Sequence, residues 1–179
     1  MLKKAPLRFR DDSRVAGPAS GRRSWVSVPA GPERLVGVGF RCWLAGYQTS
    51  DIECWELAWR EYDAALGSRQ AKLALTELAC WVRAVRNAAQ RPIEIYPAAC
   101  AGFCQDECMA ISIVAACQQS ACPAARACAF ALLGNACVDE AIESAEAFAA
   151  TLSALGQKLS PDAICNAARS VDGLGSNRH

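Results

Sequence analysis

The sequence predicts an all-α fold, a compact bundle of four to five principal helices behind a disordered basic N-terminal arm. Three observations lead there. Apolar residues recur at spacings of three and four through most of the chain after Gln48, and glycine or proline stands where those runs end. The opening segment, by contrast, is rich in Gly, Pro and Ser and has no apolar period. At 179 residues the chain suits one domain plus a tail, and 53% hydrophobic against 21% charged residues is enough apolar material to offset the entropy of ordering it.

The expected organisation is an arm over residues 1–34, a cysteine-rich helical domain over 35–172 and a frayed tail over 173–179. The formal charge of +1 hides an asymmetry between arm and body. Through Arg41 there are nine basic residues (Lys3, Lys4, Arg8, Arg10, Arg14, Arg22, Arg23, Arg34, Arg41) against three acidic ones (Asp11, Asp12, Glu33). That gives +6 on this stretch and −5 on the remainder. A basic arm can contact nucleic-acid phosphates or an acidic partner, or it can be a solvated leader that meets only its own acidic body.

The first strong helix is expected after Gln48. Ser50 followed by Glu53 has the capping-box spacing, and Ile52, Trp55, Trp59, Tyr62 and Leu66 draw one apolar stripe that Gly67 can close. A second helix follows from Ser68, with Ala71, Leu75, Leu78, Val82, Val85 and Ala89 on one face and Pro92 beyond its end. So short a link makes the two an antiparallel hairpin. Arg91 to Pro97 reads as an extended connector, with Ile93 and Ile95 alternating against Glu94. A third helix is expected from near Phe103 to Gln119, and a fourth from Pro123 to Gly134. Ile142, Ala145, Ala149 and Leu152 define a fifth ended by Gly156, and Pro161 can start a short sixth. Tryptophans at helical spacing are core residues in the simplest reading; Trp55, Trp59 and Trp81 lining a ligand pocket is the alternative.

No apolar run reaches the roughly 20 residues of a membrane helix; the longest, Met109 to Ala116, is followed by Gln118 and Gln119. Asp11, Asp12, Gly17 and Pro18 occupy the place of a signal peptide's apolar region, and Pro29, Pro32 and Glu33 interrupt what a twin-arginine signal at Arg22 and Arg23 would require. The expected compartment is the cytoplasm.

In a reducing compartment the 11 cysteines are expected as thiols, metal ligands or redox centres rather than structural bridges. Seven of them lie between Cys100 and Cys137. Cys100, Cys104 and Cys108 are four apart, a spacing that places side chains on one helical face, and Cys117 follows. Thiolates favour Zn, Cu(I) and Fe–S clusters. The only histidine is the terminal His179, so a site here is all-cysteine or takes a carboxylate such as Asp106 or Glu107. The competing reading treats cysteine as a small hydrophobe suited to close helix packing, a role that Cys54, Cys80, Cys128 and Cys165 fit directly.

There is no P-loop, no dinucleotide-binding glycine fingerprint and no serine nucleophile elbow, and Arg83 with Arg86 does not make a nucleic-acid site. The chain is not expected to be an enzyme of a familiar type. Two functions remain in view. One is a cytoplasmic accessory or regulatory protein that binds Zn, Cu(I) or an Fe–S cluster, or senses redox state, through Cys100, Cys104, Cys108 and Cys117. The other is a cofactor-free helical module that binds a protein partner and uses its cysteines as core residues.

Overall fold

Pro32, with its fixed φ and missing N–H, opens a helix directly after Gly31, whose φ of 77° is available to glycine. This helix, α1 (Pro32–Thr49), stands ahead of the first helix expected from the sequence. In the computed structural model, which describes residues 31–164, five more helices follow: α2 (Ile52–Leu66), α3 (Ser68–Ala88), α4 (Gln105–Gln118), α5 (Cys122–Leu133) and α6 (Asp139–Ala154). A short 3-10 turn, Pro161–Ala163, comes last. The described residues form an all-helical bundle, with one principal helix more than expected. Pro32, Glu33 and Arg34, counted with the arm, are the first turn of α1. Residues 1–30, Cys165 and the 173–179 tail lie outside the described residues.

α1 was hidden by its glycines, which lower helix propensity by about 1 kcal/mol each relative to alanine. Here they are contact points. A Cβ on Gly37 would stand 2.5 Å from the Phe103 ring, one on Gly39 would stand 2.5 Å from Tyr62 Oη, and one on Gly46 would run into the Trp55 indole. From Leu35 to Gly46 every residue except Trp43 is buried, so α1 is enclosed on all sides as a helix without a polar face must be. α1 packs against α2, α3 and α4; α4 packs against α1, α5 and α6; and α3 lies along α6. The three-helix halves are therefore joined at two seams and share one hydrophobic cluster. Trp81 of α3 sits at the junction, 5.4 Å from the Phe40 ring of α1 and stacked at 5.7 Å on Phe148 of α6.

The α2–α3 hairpin forms, with two changes of detail. The cap of α2 is Asp51, whose carboxylate accepts the Glu53 N–H at 2.9 Å, while Ser50 adopts the left-handed conformation that closes α1. The buried edge of α2 is Ala58 and Tyr62, flanked by half-buried Trp55, and the outer residues of the expected stripe, Ile52 and Trp59, are 64% and 39% exposed. The three tryptophans thus have three settings: Trp81 in the core, Trp55 half-buried against Gly46, Trp59 at the surface. The α3 stripe is buried from Ala71 to Val85 as expected. Gly134 ends α5 at φ 71°, and α6 buries Ile142, Ala145, Ala149 and Leu152 together with Phe148. No helix among the described residues is long and apolar enough to cross a membrane.

Candidate functional site

The polar chemistry inside the bundle gathers at the N-terminal end of α4. Residues 89–104 connect α3 to α4 with no helix or strand, only an isolated backbone bridge at Ile95, and Ile93 and Ile95 are buried along the way. A buried irregular segment needs partners for its backbone N–H and C=O groups. Two neighbouring carboxylates in the first turn of α4, Arg41 of α1 and Arg91 of the connector itself supply them.

Asp106 accepts the Glu94 N–H at 2.7 Å and is gripped by both terminal nitrogens of Arg91, at 2.8 and 2.7 Å. Arg91 also donates to Ala131 O at 2.9 Å, which ties the start of the connector to α5. Glu107 accepts the Cys104 N–H at 2.7 Å and the Tyr96 N–H at 3.3 Å. Its partner is Arg41 of α1, with Nε at 2.6 Å and Nη2 at 3.1 Å from the two carboxylate oxygens. The remaining Arg41 donors reach the carbonyls of Cys100, at 2.7 Å, of Pro97 and of Gly102, and the guanidinium lies 5.0 Å from the Phe103 ring. This pair is 2% and 0% exposed. A buried ion pair persists only where its desolvation is offset by near-complete hydrogen bonding, and this one has it. The carboxylates offered by the sequence as possible metal ligands are engaged by arginine.

The cysteines surround this centre without converging. Cys100 is exposed on the connector, Cys104 is the buried N-cap of α4, Cys108 is half-buried one turn on, and Cys117 is half-buried in the last turn. Cys104 and Cys117 mark opposite ends of a 14-residue helix, which at 1.5 Å per residue separates them by about 20 Å along its axis. The structure therefore places Cys100, Cys104 and Cys108 toward one end of α4 and Cys117 at the other. Among the described residues no three Cys, His, Asp or Glu side chains are grouped so as to hold a metal ion.

Their chemistry is that of buried thiols. Cys104 Sγ donates to Glu94 O at 3.0 Å, which requires the protonated form. Burial, reinforced by the Glu107 charge, pushes this thiol up to about 12. Cys117 is pushed up to about 12 by burial and then by Glu146, and Cys42 of α1 to about 12 by burial and then by Cys54. Cys54 is raised as well, by burial and by Asp51. Cys128 is buried in α5 within the shared core.

Two features were missed from the sequence. The first is the Arg41–Glu107 pair, whose partners lie 66 residues apart. The signal available was a lone arginine in the apolar run from Leu35 to Gly46, since arginine is almost never buried unless paired. It also corrects the charge reading, because Arg41 is an interior counter-ion and Arg34 pairs with Glu61 at 3.1 Å. The second is the surface of the hairpin. Ile52 and Trp59 stand seven residues apart on one face of α2, exposed, as is Leu73 of α3 at 55%. Comparison of the chain with protein-family models, curated proteins and solved structures finds no match to any of them.

Proposed function

We propose that this chain is a cofactor-free helical module that binds a protein partner, acting in the cytoplasm, with its buried and half-buried cysteines serving as small core and seam residues. The observation that carries this reading is the outer face of α2, where Ile52 and Trp59 stand one above the other as two of the four exposed large apolar side chains among the described residues, with Leu73 of α3 and Phe130 of α5. Tryptophan at such a position supplies large contact area at low conformational cost and is enriched where binding energy concentrates. The thiols give independent support. Metal ligation requires thiolate, and the settings of Cys42, Cys104 and Cys117 favour the protonated form.

The test is a cross-linking experiment in cells that express the full chain. A photoreactive residue at position 59 or 52 is expected to trap a defined protein that one at Arg69, on the exposed start of α3, does not trap. Replacing Ile52 and Trp59 by serine should abolish co-purification of that protein without lowering the helical content. Equal trapping from all positions contradicts the proposal. Metal or redox chemistry through Cys100, Cys104, Cys108 and Cys117 is the competing proposal, with nucleic-acid binding by the basic arm a third; metal content decides the first, and loss of salt-dependent binding on removal of residues 1–30 decides the last.

A further inference from the structure

Two rows of side chains run next to each other along the outer face of α2. Ile52 and Trp59, both exposed, are seven residues apart, which is two helical turns and about 10 Å of rise. Glu56 and Asp63 each stand four residues after one of them and so form a second row with the same spacing beside the first. Glu53, three residues before Glu56, extends the acidic side, and it is exposed together with the cap Asp51.

Negative charge is in excess here. Residues 51–63 hold five carboxylates (Asp51, Glu53, Glu56, Glu61, Asp63) against Arg60 alone. Among the described residues two of the five meet a cation: Glu61 pairs with Arg34, and Glu56 with Arg60 at 3.2 Å. The second pair has both side chains more than half exposed, so it is weak and yields readily to a competing cation. Asp51 accepts the Glu53 N–H and Asp63 the Ser68 hydroxyl, bonds that leave both charges unbalanced.

We propose that the protein partner of α2 presents a basic amphipathic helix, with large apolar residues seven apart against Ile52 and Trp59 and Lys or Arg beside them against Glu53, Glu56 and Asp63. This rests on the reading of α2 as a partner surface and adds the chemistry of what it takes. An apolar pair at two-turn spacing is matched in rise by another helix laid along it, whereas a strand covers that distance in about three residues. Charges flanking an apolar seam then select among helices that fill the seam equally well. An acidic helix would set like charges opposite each other, and α2 of a second copy meets the same repulsion. Residues 1–30 are basic, but their only two large apolar residues at this spacing, Leu2 and Phe9, have Pro6 between them, and proline breaks a helix.

Binding of two synthetic helical peptides to the full chain tests it. Both carry leucine at seven-residue spacing; lysine flanks the leucines in one and glutamate in the other. The lysine peptide is expected to bind, and the glutamate peptide to bind about tenfold or more weakly. Glu53→Lys with Glu56→Lys should reverse that order, while Glu140→Lys with Glu143→Lys, the same change of charge at exposed positions of α6, should leave it. Ile52→Ser with Trp59→Ser should abolish binding of the lysine peptide, with circular dichroism showing each variant folded. Equal binding of the two peptides by the wild-type chain overturns the proposal. So does a lysine preference lost equally in both charge variants, which marks attraction to the acidic body as a whole. Cross-links from position 59 that enter residues 1–30 or a second copy overturn it in favour of those occupants. The reading it rests on fails separately. A protein trapped at position 59 and still retained after Glu53→Lys with Glu56→Lys leaves the partner surface standing and removes the basic helix, whereas the absence of any trapped protein removes both.

Discussion

Tyr62 Oη is buried with no hydrogen-bond partner among the described residues, as are the indole nitrogens of Trp55 and Trp81. A buried hydroxyl without a partner forfeits its hydration for nothing, at a cost of about 1–3 kcal/mol. Tyr62→Phe keeps the ring against Gly39 and Leu78 and removes the orphaned atom. It is expected to be neutral or to stabilise the fold by up to about 1 kcal/mol in a urea titration; a loss of that size would mean the hydroxyl has a partner. The thiols yield a prediction of opposite sign. Below pH 9 folded and unfolded chains both keep the protons of Cys42, Cys104 and Cys117, so these groups add no pH dependence there. From 9 toward about 12 the unfolded chain releases protons that the folded chain retains, and stability falls. Denaturant titrations across that range should show the decline, and Cys104→Ala should make it shallower. A flat profile would place these thiols in water.

At the scale of the element, two features set how the helices fit. The glycines of α1 let α2 approach closely, because Gly39 faces Tyr62 and Leu78 and Gly46 faces the Trp55 ring. Gly39→Ala improves intrinsic helix propensity yet drives a methyl into rigid neighbours, so it is expected to destabilise by about 1–3 kcal/mol. A gain in thermal stability would show that the α1–α2 seam is looser than described. The second feature is the ion pair between α1 and the start of α4. Arg41→Met leaves Glu107 buried beside unmatched carbonyls and should cost about 3–5 kcal/mol. The double change Arg41→Met with Glu107→Leu should recover part of that loss, since both charges then leave together. Strict additivity in the cycle would show that the two side chains do not act as a pair. Surface pairs such as Arg60–Glu56 and Arg126–Asp139, both well exposed, should contribute little by the same measurement.

For the whole molecule, what was legible in the sequence followed from local physics. The α3 stripe, the glycine ending α5 and the proline in the first turn of α5 each depend on a few neighbouring residues, and each forms where expected. α1 was not legible, because its glycines are explained only by Phe103, Tyr62 and Trp55 on other elements. The α2 stripe was drawn through its large residues, whereas the buried edge is set by Ala58, which lets α2 lie close, and by Tyr62. The four-residue cysteine spacing marks one helical face only where all three lie on a helix, and α4 begins at Gln105, so Cys100 stands on the connector and Cys104 at the cap; nor does spacing report what else reaches that end of the helix. Arg41 arrives from α1 and Arg91 from the start of the connector to engage Glu107 and Asp106, and Glu94 O takes the Cys104 thiol.

The proposed role of the buried thiols as packing groups rather than ligands is tested most directly by metal content. Protein purified anaerobically from cells grown with Zn, Cu and Fe is expected to carry substoichiometric metal, to lack cluster absorbance and to melt at the same temperature before and after chelation. Stoichiometric metal, released by chelator together with a fall in the melting temperature and lost on Cys104→Ala, would contradict it.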